Sequence, residues 1–327
     1  MTAASAPRAA VPRLGRVDSA RGLALWAMFG FHLTWDLAYF GWIDPATPFS
    51  AGFHWLGHVI AASFLTLVGI SLALARRGRG PLLRSRAFWR RWAMIVAAAA
   101  AISAVSFWLF PEEPIFFGIL HCIALASLIA APLVEAPSWI LLAAGALALV
   151  APKLFAAPVF DAPMFWWTGL GTFEPPSNDF RPLLPWLAFV LFGLALGQII
   201  ARRAEKTATL TSERARAGLL SRTLEGCGRH SLAFYLLHQP LLFGLMSLLA
   251  VFVVSPNHER LFVAQCAAQC FQDANEADLC ERTCACTVTR AQARGDWPRM
   301  ARNALTPEEK AQAHDDIMAC FGDSHAN

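Results

Sequence analysis

The chain has 327 residues, 56% hydrophobic and only 15% charged, with a mean hydropathy of +0.45. A soluble globular domain is nearer half apolar and a quarter charged, so the composition argues against one and for a polytopic membrane protein. The net charge of +4 conceals two parts, because residues 1–254 carry a net +8 and residues 255–327 a net −4.

A helix needs about 20 mostly apolar residues to cross a bilayer. Seven segments qualify, at roughly 21–41, 54–75, 92–110, 116–134, 138–157, 183–201 and 231–254. The fourth and fifth are separated only by Glu135-Ala-Pro137, which predicts a tight helical hairpin. Pro111, Pro114, Pro137, Pro182 and Pro185 fall at span ends, where a missing amide hydrogen does least harm. The expected fold is all-α: a membrane helix bundle of about seven spans with a small helical tail. Residues 1–20 form an N-terminal segment, 21–254 the membrane domain and 255–327 the tail.

Lys/Arg bias sets the expected orientation. Eighteen Lys/Arg fall in the N-terminus (from Arg8 and Arg13), in 76–91 (including Arg77, Arg79, Arg90 and Arg91) and in 202–229 (including Arg214 and Arg216). Only Lys153 and Arg181 fall on the other side. The N-terminus is therefore expected in the cytoplasm and the tail outside an inner (plasma) membrane. Residues 1–20 lack a signal peptide's apolar region and cleavage site, so the first span reads as an uncleaved anchor.

The first span contains His32 and Asp36, four residues apart and so on one helical face. If the membrane starts near Gly22, His32 lies about 15 Å in, near the midplane of a core about 30 Å thick. Ionisable groups are costly there and commonly mark a site. The carboxylate would orient the imidazole, although a purely structural polar pair is the competing explanation. His121 in the fourth span and His238 in the seventh are candidate partners, as is Gln239. Pro240 follows them, and a kink beside His238 is expected. His54 and His58 sit at the outer mouth of the second span, as bases, ligands or ordinary interfacial histidines. Asp18 and Arg21 flank the inner mouth of the first span and are placed to pair. Asn178, Asp179 and Arg181 precede the sixth span, where an acceptor could dock. The basic connections, with Arg21, Arg90 and Arg91, could hold phosphates from the cytoplasm, but anionic lipid also explains them. No phosphate loop, nucleophile elbow or metalloprotease motif occurs. Nothing points to nucleic acid, and no metal is expected.

Six of the eight cysteines lie in the tail: Cys266, Cys270, Cys280, Cys284, Cys286 and Cys320. An even count in an exported segment reads as disulfides. Two Cys-x3-Cys helices joined by a turn can be stapled as Cys266–Cys284 and Cys270–Cys280, leaving Cys286–Cys320. The alternative is a zinc site with His258 or His314. Thr306-Pro307-Glu308-Glu309 predicts a helix start, running to about Phe321 and stopping at Gly322.

Several stretches carry a resemblance. They are Arg16-Val-Asp18-Ser-Ala-Arg21-Gly22-Leu-Ala, Phe64-Leu-Thr-Leu-Val-Gly69-Ile-Ser71-Leu, Phe117-Gly118-Ile-Leu-His121, Pro182-Leu-Leu-Pro185-Trp186-Leu and Tyr235-Leu-Leu-His238-Gln239-Pro240. In order and spacing, over about residues 14–250, they are similar to bacterial transmembrane acyltransferases of the heparan-α-glucosaminide N-acetyltransferase-like family. The resemblance implies transfer of an acyl group, acetyl by expectation, from acetyl-CoA at the cytoplasmic face to a sugar or envelope acceptor on the far side. It implies a catalytic histidine near His54 or His58, which then compete with His32. It does not reach the tail. The expected partners are the lipid bilayer and that acceptor, with a homodimer left open. Two other classes stay open: a transporter using the histidines as a proton relay, and a scaffold displaying the tail.

Overall fold

The computed structural model describes residues 15–44, 46–76, 80–206, 218–253, 257–274, 277–301 and 305–325. Arg8, Arg13, Arg77, Arg79, Arg214 and Arg216 of the orientation argument lie outside the described residues. The described secondary structure is helical: α1 Gly15–Tyr39, α2 Ala51–Arg76, α3 Arg86–Leu109, α4 Ile119–Ala130, α5 Ser138–Phe155, α6 Leu183–Lys206, α7 Leu219–Arg229, α8 Ser231–Phe252, α9 His258–Ala274, α10 Ala277–Arg294, α11 Trp297–Met300 and α12 Pro307–His325.

Five of these are long and apolar enough to cross a bilayer: α2, α3, α5, α6 and α8. The protein is a multi-pass membrane protein. Helix α1 has the length, but Asp18, Arg21, His32 and Asp36 lower its hydropathy. The expected span at 116–134 is shorter than the sequence suggests. Its helix has 12 residues, about 18 Å of rise against a core of about 30 Å. Phe116 and Phe117 are apolar but belong to a loop, since the Phe117 carbonyl accepts the Arg181 amide at 3.0 Å. At the other end Pro132 begins a short 3-10 turn, Pro132–Glu135. Helix α7 lies in a connection that reads only as basic in the sequence, and its apolar residues are too few for a span.

The chain divides into two compact units, Met1–Met28 with Gly57–Leu236, and Phe29–Leu56 with Leu237–Asn327. In the first, the core is built from α2, α4, α5 and α6, with Leu65, Leu141, Val190, Leu191 and Leu194 at most 2% exposed. Membrane helices gain little from hydrophobic burial against one another, so close backbone approach matters. A Cβ on Gly69 would lie 2.0 Å from the Val190 carbonyl oxygen, and one on Gly193 would lie 2.1 Å from that of Thr66. Gly193 and Gly197 on α6 thus interlock with Gly69 and Ala73 on α2, two small-x3-small faces in register.

Helices α4 and α5 are joined by the short Pro132–Glu135 turn, but each packs against α6 rather than against the other. The expected tight hairpin is replaced by two helices held on a common third, and α6 also holds the turn. The Gln198 amide donates to the carbonyls of Val134 and Ala136 at 3.0 and 2.9 Å, and Ser138 Oγ donates to Gln198 Oε1 at 2.8 Å. Glu135 also pairs with Arg76. Asp18 and Arg21 pair at 2.7 Å, and Arg21 donates to Ser71 as well. Helix α7 completes this corner: Arg229 reaches Asp18 at 3.9 Å, and a Cβ on Gly22 would strike the Leu224 carbonyl at 2.2 Å. The Asp18-Ser-Ala-Arg21-Gly22 motif is therefore a docking corner for α2 and α7.

In the second unit α1 ends on Gly41 at φ 71°. The Trp42 amide bonds Leu37 O at 2.8 Å and the Gly41 amide bonds Ala38 O at 2.9 Å. This is the Schellman arrangement, and a left-handed residue there favours glycine. The tail begins beside this turn, where the Asn257 amide donates to Gly41 O at 3.0 Å. Arg260 adds an ion pair to Asp44 at 3.9 Å.

Helices α9 and α10 are joined by Cys266–Cys284 and Cys270–Cys280, and Cys286–Cys320 ties α12 to α10. These are the three pairings that the spacing predicts, and they consume the thiols a zinc site would need. Thr306 and Glu309 form the expected capping box, with Thr306 N donating to Glu309 Oε2 at 2.9 Å and Glu309 N to Thr306 Oγ1 at 3.3 Å. One detail differs from expectation. Helix α12 continues through Gly322 to His325, because Gly322 is not in the left-handed conformation that would end it. Pro240 lies inside α8, as the span boundaries predict.

Candidate functional site

Two polar clusters, one in each unit, hold His32 with His238 and, separately, His121. In the second unit, the i, i+4 spacing puts His32 and Asp36 on one face of α1. Helix α8 supplies the adjacent pair His238 and Gln239. The His32 and His238 rings lie 5.0 Å apart between centroids, inclined at 59°. Gln239 Nε2 donates to Asp36 Oδ1 at 2.9 Å. Asp36 is 3% and His238 8% exposed. Phe31 meets His32 edge-on at 5.6 Å and stacks on Phe53 at 4.4 Å, which fixes the apolar wall beside the imidazole.

The bonding in this cluster is incomplete. Asp36 Oδ2 and Gln239 Oε1 are buried acceptors with no hydrogen-bond partner among the described residues. A buried polar atom left unmet costs about 1–3 kcal/mol. Two of them beside a histidine pair make a place that accepts a hydrogen-bond donor, such as a hydroxyl or an amine.

The first unit holds His121, Asp179 and Arg181. His121 occupies the first turn of α4, where its Nδ1 accepts the Gly118 amide at 3.2 Å. An accepting Nδ1 leaves the proton on Nε2 in the neutral ring, which then donates to Ser103 Oγ at 3.3 Å, and Ser103 donates to Ile115 O at 2.6 Å. Asp179 Oδ2 accepts the Ile119 amide at 2.9 Å, so two side chains satisfy donors at the start of α4. A Cβ on Gly118 would lie 2.5 Å from Asp179 Oδ2, so a side chain there would displace the carboxylate from its present position. Burial pushes the Asp179 carboxyl above the usual range, partly opposed by the Arg181 guanidinium, the Ile119 amide and His121. Arg181 lies 3.8 Å from Asp179, and its guanidinium sits 5.2 Å from the centre of the Trp186 ring. His58 stacks on that same indole at 5.4 Å. Ser103 and Trp186 do not stand out as site residues in the sequence; a serine within an Ala-rich helix is the one hint of the first.

The remaining candidates are distributed as follows. His54 is exposed in the first turn of α2, in the second unit, whereas His58 belongs to the first. Arg21 is committed to Asp18 and Ser71. Arg90 and Arg91 are exposed near the start of α3. Among the described residues no group of three or more His, Cys, Asp or Glu side chains is placed to hold a metal ion.

No curated protein and no solved structure matches the chain. A family model does, that of the heparan-alpha-glucosaminide N-acetyltransferase catalytic domain, over residues 13–240. The matched stretch includes both clusters and ends at Pro240, directly after His238 and Gln239, leaving α9 to α12 beyond it. Its length, well over half of the chain, shows that the protein belongs to the heparan-alpha-glucosaminide N-acetyltransferase catalytic family.

Proposed function

We propose that the protein is an integral-membrane acyltransferase that moves an acetyl group from cytoplasmic acetyl-CoA to a hydroxyl or amine of an extracytoplasmic glycan or envelope component. The observation that carries this reading is the His32–His238 pair beside two buried, unmet acceptors. Such a site takes a donor group from an acceptor substrate and offers an imidazole to remove its proton.

In the proposed step an imidazole of the pair takes the proton as the acceptor oxygen or nitrogen attacks the thioester carbonyl carbon. The C–S bond breaks, and the proton passes to the departing thiolate. Gln239 holds Asp36, and Asp36 with Gln239 orients the acceptor. Exposed Arg90 and Arg91 are suited to phosphate, while Arg21 serves first to anchor α1. The topology that supports the reading is the Lys/Arg bias, with the N-terminus in the cytoplasm and the tail outside.

The test uses purified protein in proteoliposomes with labelled acetyl-CoA and envelope fractions as acceptors. His32→Ala and His238→Ala should each lower transfer by about 10²-fold or more. Absence of both transfer and CoA binding in the unaltered protein removes the acyltransferase reading. Unchanged transfer by His32→Ala removes the histidine pair while leaving the reaction standing.

A further inference from the structure

We propose that the connection between α5 and α6, residues 156–173, is a membrane-interface segment that buries Val159, Met164, Trp167 and Phe173 among lipid acyl chains at the bilayer surface. This holds whatever reaction the helix bundle performs. Residues 154–173 contain a single ionisable group, Asp161. Val159 is 63% exposed, Met164 71%, Trp167 40% and Phe173 52%, a concentration of apolar surface that water disfavours.

The polar groups of the segment pair with one another instead. Asp161 receives the Thr172 amide on Oδ1 at 2.6 Å and the Thr172 hydroxyl on Oδ2 at 2.7 Å. The Trp166 indole donates to Asp161 O at 2.8 Å, and the Trp167 indole to Met164 O at 3.0 Å. Thr168 Oγ1 donates to Phe165 O at 2.7 Å and accepts the Leu170 amide at 3.2 Å. The Ala157 amide closes the segment on Leu170 O at 3.1 Å. Pro158 and Pro163 open its two 3-10 turns, where no amide donor is needed. Meeting polar groups internally while presenting apolar side chains is what a lipid environment demands of irregular backbone.

Two further observations favour lipid over a soluble partner. The surface is continuous with the exposed end of a membrane-spanning helix, since Leu154 and Phe155 close α5 at 65% and 56% exposed. The segment is also pinned by aromatic contacts, Trp166 on Phe116 at 5.1 Å and on Phe173 at 6.3 Å. Tryptophan and phenylalanine are the side chains expected at this depth.

The test places single cysteines at Val159, Met164 and Phe173 of the full chain, with Cys227→Ser to remove the partly exposed free thiol. Each carries a nitroxide in lipid nanodiscs, and accessibility to oxygen is compared with accessibility to a water-soluble nickel chelate. Glu112→Cys, in an exposed loop, gives the aqueous reference. The expected result is an oxygen-to-nickel ratio several-fold above the reference at all three positions. Ratios equal to the reference overturn the proposal. So does protection from both relaxants, which marks a protein partner.

Discussion

Replacing Cys286 and Cys320 together by alanine should detach α12 and leave α9 and α10 paired. The bond closes a separation of 34 residues. In the chain-entropy account a loop of that length is worth about 4 kcal/mol, or roughly 10³-fold in an opening equilibrium. The other attachments of α12 are weaker. Ala313 and Cys320 are its buried apolar residues among those described. The ion pairs from α10, Arg290 with Asp323 at 2.9 Å and with Asp316 at 3.8 Å, and Arg294 with Asp316, are partly open to solvent, where such pairs contribute about 0–1 kcal/mol each. Their sum, at most about 3 kcal/mol, is below the contribution of the covalent link. Helices α9 and α10 keep two staples of their own. Amide hydrogen exchange on the full chain in detergent should therefore show α12 exchanging roughly 10³-fold faster, with α9 and α10 little altered. Unchanged protection of α12 would refute the reasoning by showing that the ion pairs suffice. Joint loss of protection in all three helices would refute it by showing that the tail opens as one unit.

Gly193→Leu should lower the thermal midpoint strongly, because even its Cβ would meet the Thr66 carbonyl at 2.1 Å; overpacking of this kind costs about 1–3 kcal/mol. Gly244→Ala is the control, with open space around its Cβ, and equal midpoints for the two would sink the seam argument. Asp179→Asn keeps an acceptor for the Ile119 amide and removes a charge that burial disfavours, so its stability should match or exceed the original. Asp179→Ala loses the acceptor and should fall about 1 kcal/mol lower; a denaturation midpoint no lower than that of Asn argues against a capping role. The Arg299 side chain and the Thr306 amide hold the Glu309 carboxyl below its usual range. A depressed pKa adds stability above the unfolded value, about 4.3, and that stability is lost as pH falls through the folded one. Exchange of the Thr306 amide should accordingly show loss of protection only below about pH 4; protection independent of pH in that range contradicts the box.

The tail is legible in the sequence because its constraints are local. Two Cys-x3-Cys helices admit few pairings, and Thr306 to Glu309 carries its own start signal. Five spans are legible from length and apolarity. The short α4 is not, because Phe116 and Phe117 look like helix but the Phe117 carbonyl is claimed by the amide of Arg181, distant in sequence. Helix α7 is hidden by its basic composition, which orientation already explains. Periodicity gives the shared face of His32 and Asp36, but not that His238, far away in sequence, lies against the imidazole. His121 shows the converse. Residue type groups it with the other histidines, whereas its ring nitrogens are engaged by the Gly118 amide and Ser103.

The glycine seam between α2 and α6 has a mechanical consequence. Contacts made by main chain rather than side chain have no alternative rotamers through which to yield. Sliding one helix along the other would drive Gly69 and Gly193 into a neighbouring ridge at once, and the next matching register is about one turn, 5.4 Å, away. The pair therefore behaves as a strut, and small displacements during turnover must be taken up by elements that meet through side chains.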